Sequence, residues 1–239
     1  MRRALEVIGY PLLYLAILAA VYLWGTRLRP VNPVTAGDGP EVTVIDASEP
    51  VPFAQPTEGW FHWKFLTRRP MQVDQLEKDG VPAIRCTTDA SASIFGRYAD
   101  IDVERFPVLA WSWLVEKPVE SELDERTVEG DDHPARLYVR FRDEDGGEHS
   151  MEIIWANKHF QPGDYKYLHN FPHYVAQTGN QEVGKWVAEE VDLLPIYRKI
   201  SERDDRPHTT IISIFCDTDD TGTSSVAYFS DIVLRQRGP

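Results

Sequence analysis

Asp131-Asp-His-Pro-Ala-Arg-Leu-Tyr-Val-Arg-Phe141 alternates strictly from Ala135 onward. Ala135, Leu137, Val139 and Phe141 fall on one side, and Arg136, Tyr138 and Arg140 on the other. A side-chain period of two predicts a half-buried β-strand. Upstream, Val108-Leu-Ala-Trp-Ser-Trp-Leu-Val115 places Leu109, Trp111, Trp113 and Val115 on one face. Its other face is Val108, Ala110, Ser112 and Leu114, so the reading is a central strand covered on both sides. The same period predicts strands at Trp60–Leu66, Ala83–Thr87, Ser93–Ile101, Ser150–Ala156, Tyr165–His169, Trp186–Val191, Thr209–Cys216 and Ser224–Leu234. Lys78-Asp79-Gly80 and Asp145-Gly146-Gly147 are turn signals between some of them. A single short helix is predicted, from about Leu194 to Ser201. Many short strands at this spacing imply a mainly β protein, an antiparallel β-sandwich of jelly-roll type, over residues 53–239.

Two segments precede that domain. Val7 to Trp24 is eighteen residues without a charge, and as a helix it measures about 27 Å, near the hydrocarbon thickness of a bilayer. Tyr10, Leu12, Leu13, Tyr22 and Trp24 are the anchoring residues of this segment, with the rings near its ends, where the membrane interface favours them. A cleaved signal peptide is the rival reading. The apolar run exceeds a usual signal core, however, and no small-x-small site follows it directly. Residues 1–26 are therefore expected to be a single transmembrane anchor. Residues 27–52 carry five prolines and Gly37-Asp38-Gly39, and read as an extended spacer with a candidate edge strand at Val42–Asp46. Arg2, Arg3 and the free amine outnumber Arg27 and Arg29, which favours a cytoplasmic N-terminus and a periplasmic body at a bacterial inner membrane.

The 239 residues hold 25 basic and 38 acidic side chains, a net −13. Without residues 1–30 the balance is 21 against 37, a net −16. So acidic a body repels phosphate backbones, and nucleic acid is excluded as a partner. The same field suits a cationic soluble protein such as a c-type cytochrome. Cys86 and Cys216 are too few for a disulfide scaffold or a zinc cage; they fit either one bridge or two buried thiols.

Candidate chemistry is sparse. Gly179 to Lys185 fits the first seven places of a phosphate-binding loop, but Trp186 stands where a magnesium-binding hydroxyl belongs. Asp217, Asp219 and Thr221 with Gly222 copy the start of an EF-hand loop, yet Tyr228 replaces the closing Glu. They are weak cation candidates in what reads as a structural loop whose Asp side chains bond their own backbone. Asp131, Asp132, His133 and Arg136 form a candidate ligand face, and Glu152 could complete a carboxylate pair of glycosidase type. His169 and His173 are four apart, but Pro172 forbids the helix that would pair them. Trp60, Trp63, Trp111, Trp113, Trp155 and Trp186 fall mostly in strands and read as core more than as a sugar-stacking platform. No cofactor is implied.

The order of Ser91-Ala-Ser-Ile-Phe-Gly-Arg-Tyr98, Pro107-Val-Leu-Ala-Trp-Ser-Trp-Leu-Val115, the Asp131–Phe141 strand, Ile153-Ile-Trp-Ala-Asn157 and Cys216-Asp-Thr-Asp-Asp-Thr-Gly222 resembles a bacterial envelope family. It is known as domain of unknown function three-thousand-forty-seven, and the match covers roughly residues 50 to 235. The resemblance implies a galactose-binding-like jelly roll, similar to carbohydrate-binding modules, with no catalytic residues to carry over. Together with the anchor, these features lead to the expectation of a non-catalytic accessory subunit. Its sandwich docks on a larger inner-membrane protein complex, an electron-transfer complex among the candidates. A glycan- or ligand-binding module at the membrane surface is the alternative, and a carboxylate-dependent glycan hydrolase the remote one.

Overall fold

The computed structural model describes residues 32–238, so the expected anchor, with Tyr10, Leu12, Leu13, Tyr22 and Trp24, lies outside the described residues. Among the described residues no helix is long and apolar enough to cross a membrane. The first seven strands are β1 (Val34–Thr35), β2 (Glu41–Ile45), β3 (Trp60–Lys64), β4 (Gln72–Lys78), β5 (Val81–Asp89), β6 (Ala92–Asp102) and β7 (Val108–Lys117). The next five are β8 (Arg136–Arg142), β9 (Glu148–Ala156), β10 (Tyr165–Leu168), β11 (Phe171–Thr178) and β12 (Val187–Asp192). Helix α1 (Leu193–Ser201), β13 (His208–Asp217) and β14 (Ser224–Arg235) follow.

The strands make two sheets of a sandwich. The eight-stranded sheet has the order β1-β6-β13-β8-β9-β11-β10, with β3 also on β6; the six-stranded sheet is β12-β7-β14-β5-β4, with β2 on β14. In β8 the alternation holds: Leu137, Val139 and Phe141 are fully buried between the sheets. Trp113 packs there against Trp111, Trp155 and Phe229. Cys86 on β5 and Cys216 on β13 form a disulfide across this core, with Cα atoms 6.5 Å apart, which joins the two sheets covalently.

Several expectations change. Pairing is not wholly antiparallel, because β1 runs parallel to β6 and β9 parallel to β11. The second exception arises because β10 folds back on β11 through His169-Asn170, both in the left-handed region. That is the two-residue turn that matches strand twist, and it ends the predicted Tyr165–His169 strand one residue early. Part of the expected 27–52 spacer belongs to the sandwich: β1 pairs with β6 and β2 with β14. β7 is central as predicted, between β12 and β14, but its outer face is only half covered. Leu114 alone is buried there, in a small cluster with Ala83 and Tyr228 that Trp186 flanks. Helix α1 starts where the Asp192 side chain accepts the Leu194 N–H at 3.1 Å, and it buries Leu193, Leu194, Ile196 and Tyr197.

Phe61, Ala92, Ile94, Tyr138, Ile211 and Phe215 form a second apolar cluster on the outer face of the larger sheet, flanked by Trp63, Tyr98 and Phe171. Gly96 sits in this face against Ser213, and a Cβ there would overlap the Ser213 side chain and the Ile212 carbonyl. The β6–β13 contact therefore requires glycine.

Candidate functional site: a charged cleft on the larger sheet

Arg136 is the first residue of β8 and points to the outer face, opposite the buried Leu137. Its neighbours are set by register: Phe215 of β13 pairs with Arg136, Tyr138 with Glu152 of β9, and Glu152 with His173 of β11. One guanidinium thus stands where four strands bring their polar groups together. Its Nε and Nη2 donate to the two Asp217 oxygens at 3.0 and 2.6 Å. Nη1 donates to Glu152 Oε2 at 2.6 Å and lies 3.7 Å from Asp131 Oδ2, while Nη2 also donates to the Asp131 carbonyl. The guanidinium carbon is 4.9 Å from the centre of the Phe215 ring.

Burial alone would lower the Arg136 pKa, but Asp217, Glu152 and Asp131 outweigh it and raise it well above its ordinary value. Burial would likewise raise Glu152. Arg136 and His173 reverse that and hold Glu152 at about 2. Asp131 is held far below the usual carboxylate range, against burial, by Arg136, His133 and Lys166. Burial, with Asp132 and Asp131 nearby, pushes Asp217 well above its ordinary value, against the Arg136 fork and the His133 N–H, three donors on its two oxygens.

A second layer supports these groups. His173 Nε2 lies 3.2 Å from Glu152 Oε2, and its Nδ1 lies 3.2 Å from the Phe171 carbonyl. Lys166, buried on β10, donates to Asp131 and sits 3.2 Å from His133 Nε2. His133 is fully buried, and burial with Arg136 and Lys166 lowers its pKa to about 4, so it is neutral at pH 7. Beyond it Glu125, also buried, accepts the backbone N–H groups of Asn157, Lys158 and His159, at 2.7 and 2.8 Å for the first two.

The predicted ligand face is split by this arrangement. Asp131 and Arg136 line a cleft of about 530 Å³ with Glu152, His173 and Asp217. Asp132 and His133 are wholly buried and do not reach it. Asp132 instead accepts the Thr221 N–H at 2.6 Å, the Thr221 hydroxyl at 2.5 Å and the Asp220 N–H at 3.4 Å, fixing the 217–222 loop. That corrects the expectation for Asp217, which bonds no backbone of its own loop, while Asp219 does accept from its own N–H. Asp217 turns to Arg136, and Asp219 pairs with Arg68 Nε at 2.7 Å. The oxygens that approach one another belong to Asp132, Asp219 and Asp220, and Arg68 also pairs with Asp220 at 3.2 Å.

The cleft wall adds Phe65, Arg68, Phe171 and Phe215, which had no sequence signal of their own, and His169, weighed above only as a metal ligand. Phe65 is 40% exposed. Of the six tryptophans weighed as sugar platforms, Trp63 flanks this outer face, whereas Trp111, Trp113 and Trp155 are core.

The family described as "Protein of unknown function (DUF3047)" matches residues 58–233. The chain belongs to that family. The matched region contains every cleft residue and starts after β1 and β2. No curated protein matches the chain. Among solved structures, the xyloglucanase domain of NopAA, a type three effector from Sinorhizobium fredii in complex with cellobiose, is similar at 8% identity. Its TM-score is 0.42, over 77% of this chain and 96% of that one. CtCBM11 is similar at 9% identity and a TM-score of 0.37, over 85% and 99%. The glycoside hydrolase domain of Spr0440, Endo-D from Streptococcus pneumoniae R6, follows at 8% and 0.36, over 75% of this chain. This chain spans 22% of that last one.

Proposed function

We propose that this protein is a non-catalytic binding module of jelly-roll type, anchored in the membrane, that holds a glycan in the cleft of its larger sheet. The observation that carries the reading is the joining of one exposed and one half-buried ring to a fixed polar floor. Phe65 and Phe171 offer flat apolar surface to the C–H faces of a sugar, while Asp131, Glu152 and His173 present oriented groups for its hydroxyls. Binding is favoured over hydrolysis because the three carboxyl groups share one guanidinium. A glycosidase needs one carboxyl free to give up a proton and a second on the far side of the bond, whereas Glu152 and Asp131 are held low and Asp217, which burial pushes up, spends both oxygens on the Arg136 fork. The disulfide supports a periplasmic body, since such bridges persist in oxidising compartments. Docking on an inner-membrane complex, or on a c-type cytochrome, rests on residues 1–26 and on the net charge, and is the second role we assign to the anchor.

The test is calorimetric titration of the full chain in detergent with cellohexaose and with N-acetylated chitohexaose. Binding of one of them should weaken about tenfold or more in a Phe65→Ala/Arg68→Ala variant, both side chains being exposed. No reducing ends should appear on prolonged incubation. Equal affinity in parent and variant would refute the cleft as the site, and steady release of reducing ends would replace the binding reading with an enzymatic one.

A further inference from the structure

Strand β11 carries His173 into the charged cleft at one end and Gln177 and Thr178 into a different pocket at the other. Five residue steps run from His173 to Thr178, about 17 Å along the strand. The second pocket has a volume of about 600 Å³ and lies among the loops that follow β9 and β11. Its chemistry differs from that of the cleft. Five carboxamides line it: Asn157, Gln161, Gln177, Asn180 and Gln181.

The walls of this pocket are held rigidly. The buried Glu125 carboxylate fixes the 157–159 wall through three backbone N–H groups. On the opposite wall the Trp155 indole N–H donates to the Gly179 carbonyl at 2.9 Å, and the Gly179 N–H donates to the Ala156 carbonyl at 2.9 Å. Gly179 has a φ of +65°, which suits the turn there. Asn157 Nδ2 donates to the Asp132 carbonyl and Gln177 Oε1 accepts the Thr178 N–H, each at 2.8 Å, whereas the side chains of Gln161, Asn180 and Gln181 make no hydrogen bond among the described residues. Thr178 Oγ1 is shielded from solvent and makes no hydrogen bond, so it offers nothing to the pocket. The two charged side chains are committed elsewhere, Lys158 to the Ser121 carbonyl at 3.3 Å and Glu182 to Lys185 at 3.1 Å. The Gly179–Lys185 stretch that imitates a phosphate loop therefore offers no free cation to a phosphate.

Carboxamides donate and accept in equal measure, which matches groups that also do both. We infer that this pocket is a second, independent binding site, for a neutral saccharide whose hydroxyls or acetamido groups pair with Gln161, Asn180 and Gln181. Two sites on one strand let a long glycan engage both, and the second contact is then made at high local concentration. The inference does not require the cleft to bind sugar.

The experiment uses the full chain in detergent, with Phe65→Ala/Arg68→Ala as the background that disables the cleft. Cellohexaose and N-acetylated chitohexaose are the probes, and N-acetyl-tetra-alanine amide is the peptide control. Asn180 and Gln181 are exposed, so Asn180→Ala/Gln181→Ala should fold normally, which its melting temperature will report. In the disabled background, saccharide binding should persist and then fall about tenfold or more on adding Asn180→Ala/Gln181→Ala. Persistence unchanged by that pair overturns the inference, as does loss of all saccharide binding in the background alone. Preference for the peptide over both saccharides also overturns it. If Phe65→Ala/Arg68→Ala changes nothing while Asn180→Ala/Gln181→Ala abolishes binding, this site stands and the cleft reading falls.

Discussion

Replacing Arg136 by alanine should be among the most destabilising single changes available to this sandwich. The side chain is 1% exposed and donates twice to Asp217, once to Glu152 and once to the Asp131 carbonyl. Its removal leaves Glu152 and Asp217, 6% and 5% exposed, without their counter-ion. Breaking a buried ion pair from one side costs about 3–5 kcal/mol, most of it the stranded charge. Arg136→Lys keeps the charge but not the planar fork, and should cost about half as much. The decisive feature is pH. Glu152 sits at about 2 in the parent, below its ordinary 4.5, so its contribution is complete above 4.5 and is lost as pH falls through 2. Without Arg136 the same carboxyl is buried beside Asp131 and Asp217, and its pKa must rise, so acid relieves the defect. Urea unfolding of the full chain in detergent, followed by tryptophan fluorescence, should therefore show a gap that is largest at pH 7 and narrows toward pH 3. A gap under about 1 kcal/mol at pH 7, or one that widens on acidification, would refute the idea that Arg136 neutralises this cluster.

Two further outcomes follow from other parts of the sandwich. His133 and His62 are both lowered to about 4, first by burial and then by nearby cations, Arg136 for His133 and Lys64 for His62. Their contribution is complete above the unfolded value near 6.5 and is lost as pH falls through 4, on the order of 3 kcal/mol at most for His133. The urea midpoint should drop between pH 7 and pH 4.5, and His133→Gln should flatten that drop; an unchanged slope would exclude His133 as its source. The Cys86–Cys216 bridge closes a separation of 130 residues between the two sheets, so Cys86→Ser/Cys216→Ser should lower stability by about 2–5 kcal/mol. A loss under about 1 kcal/mol in the same urea assay would mean that the unfolded chain is little constrained by it.

Strands were legible wherever one face meets the core, as in β8, where Leu137, Val139 and Phe141 recur every second residue. The missed strands lack that contrast. β4 reads Gln-Val-Asp-Gln-Leu-Glu-Lys and pairs only with β5 at the sheet edge, so little of it is buried. β11 contains Pro172 and buries residues on both faces, which erases the period. Parts of the site were visible too: Asp131, Arg136, Glu152 and Asp217 each drew notice, but as separate motifs. Their meeting depends on β13, β8, β9 and β11 lying side by side, a fact of topology that no local pattern encodes. Glu125, Lys166 and the cleft phenylalanines were missed for a plainer reason, since each is an ordinary residue in a loop or strand until tertiary contacts give it a partner.

The cost of this cluster is itself an argument about function. Holding a guanidinium and three carboxyl groups in a largely buried site requires desolvation that their mutual attraction barely offsets, and apolar residues of similar volume serve a sheet equally well. Stability alone therefore does not explain why the outer face of β8 begins with Arg136 when Tyr138 and Ile211 nearby are apolar and satisfied. What the cluster secures is position. Glu152 is held by Arg136 on one side and His173 on the other, and Asp131 by Arg136 and Lys166. Both carboxylates are thus fixed at the floor of the cleft before any ligand arrives, so little side-chain freedom remains to be lost on binding. The parallel pairing of β9 with β11 is what sets His173 opposite Glu152. Of the two parallel pairings in the larger sheet, this is the one that falls at the charged cleft.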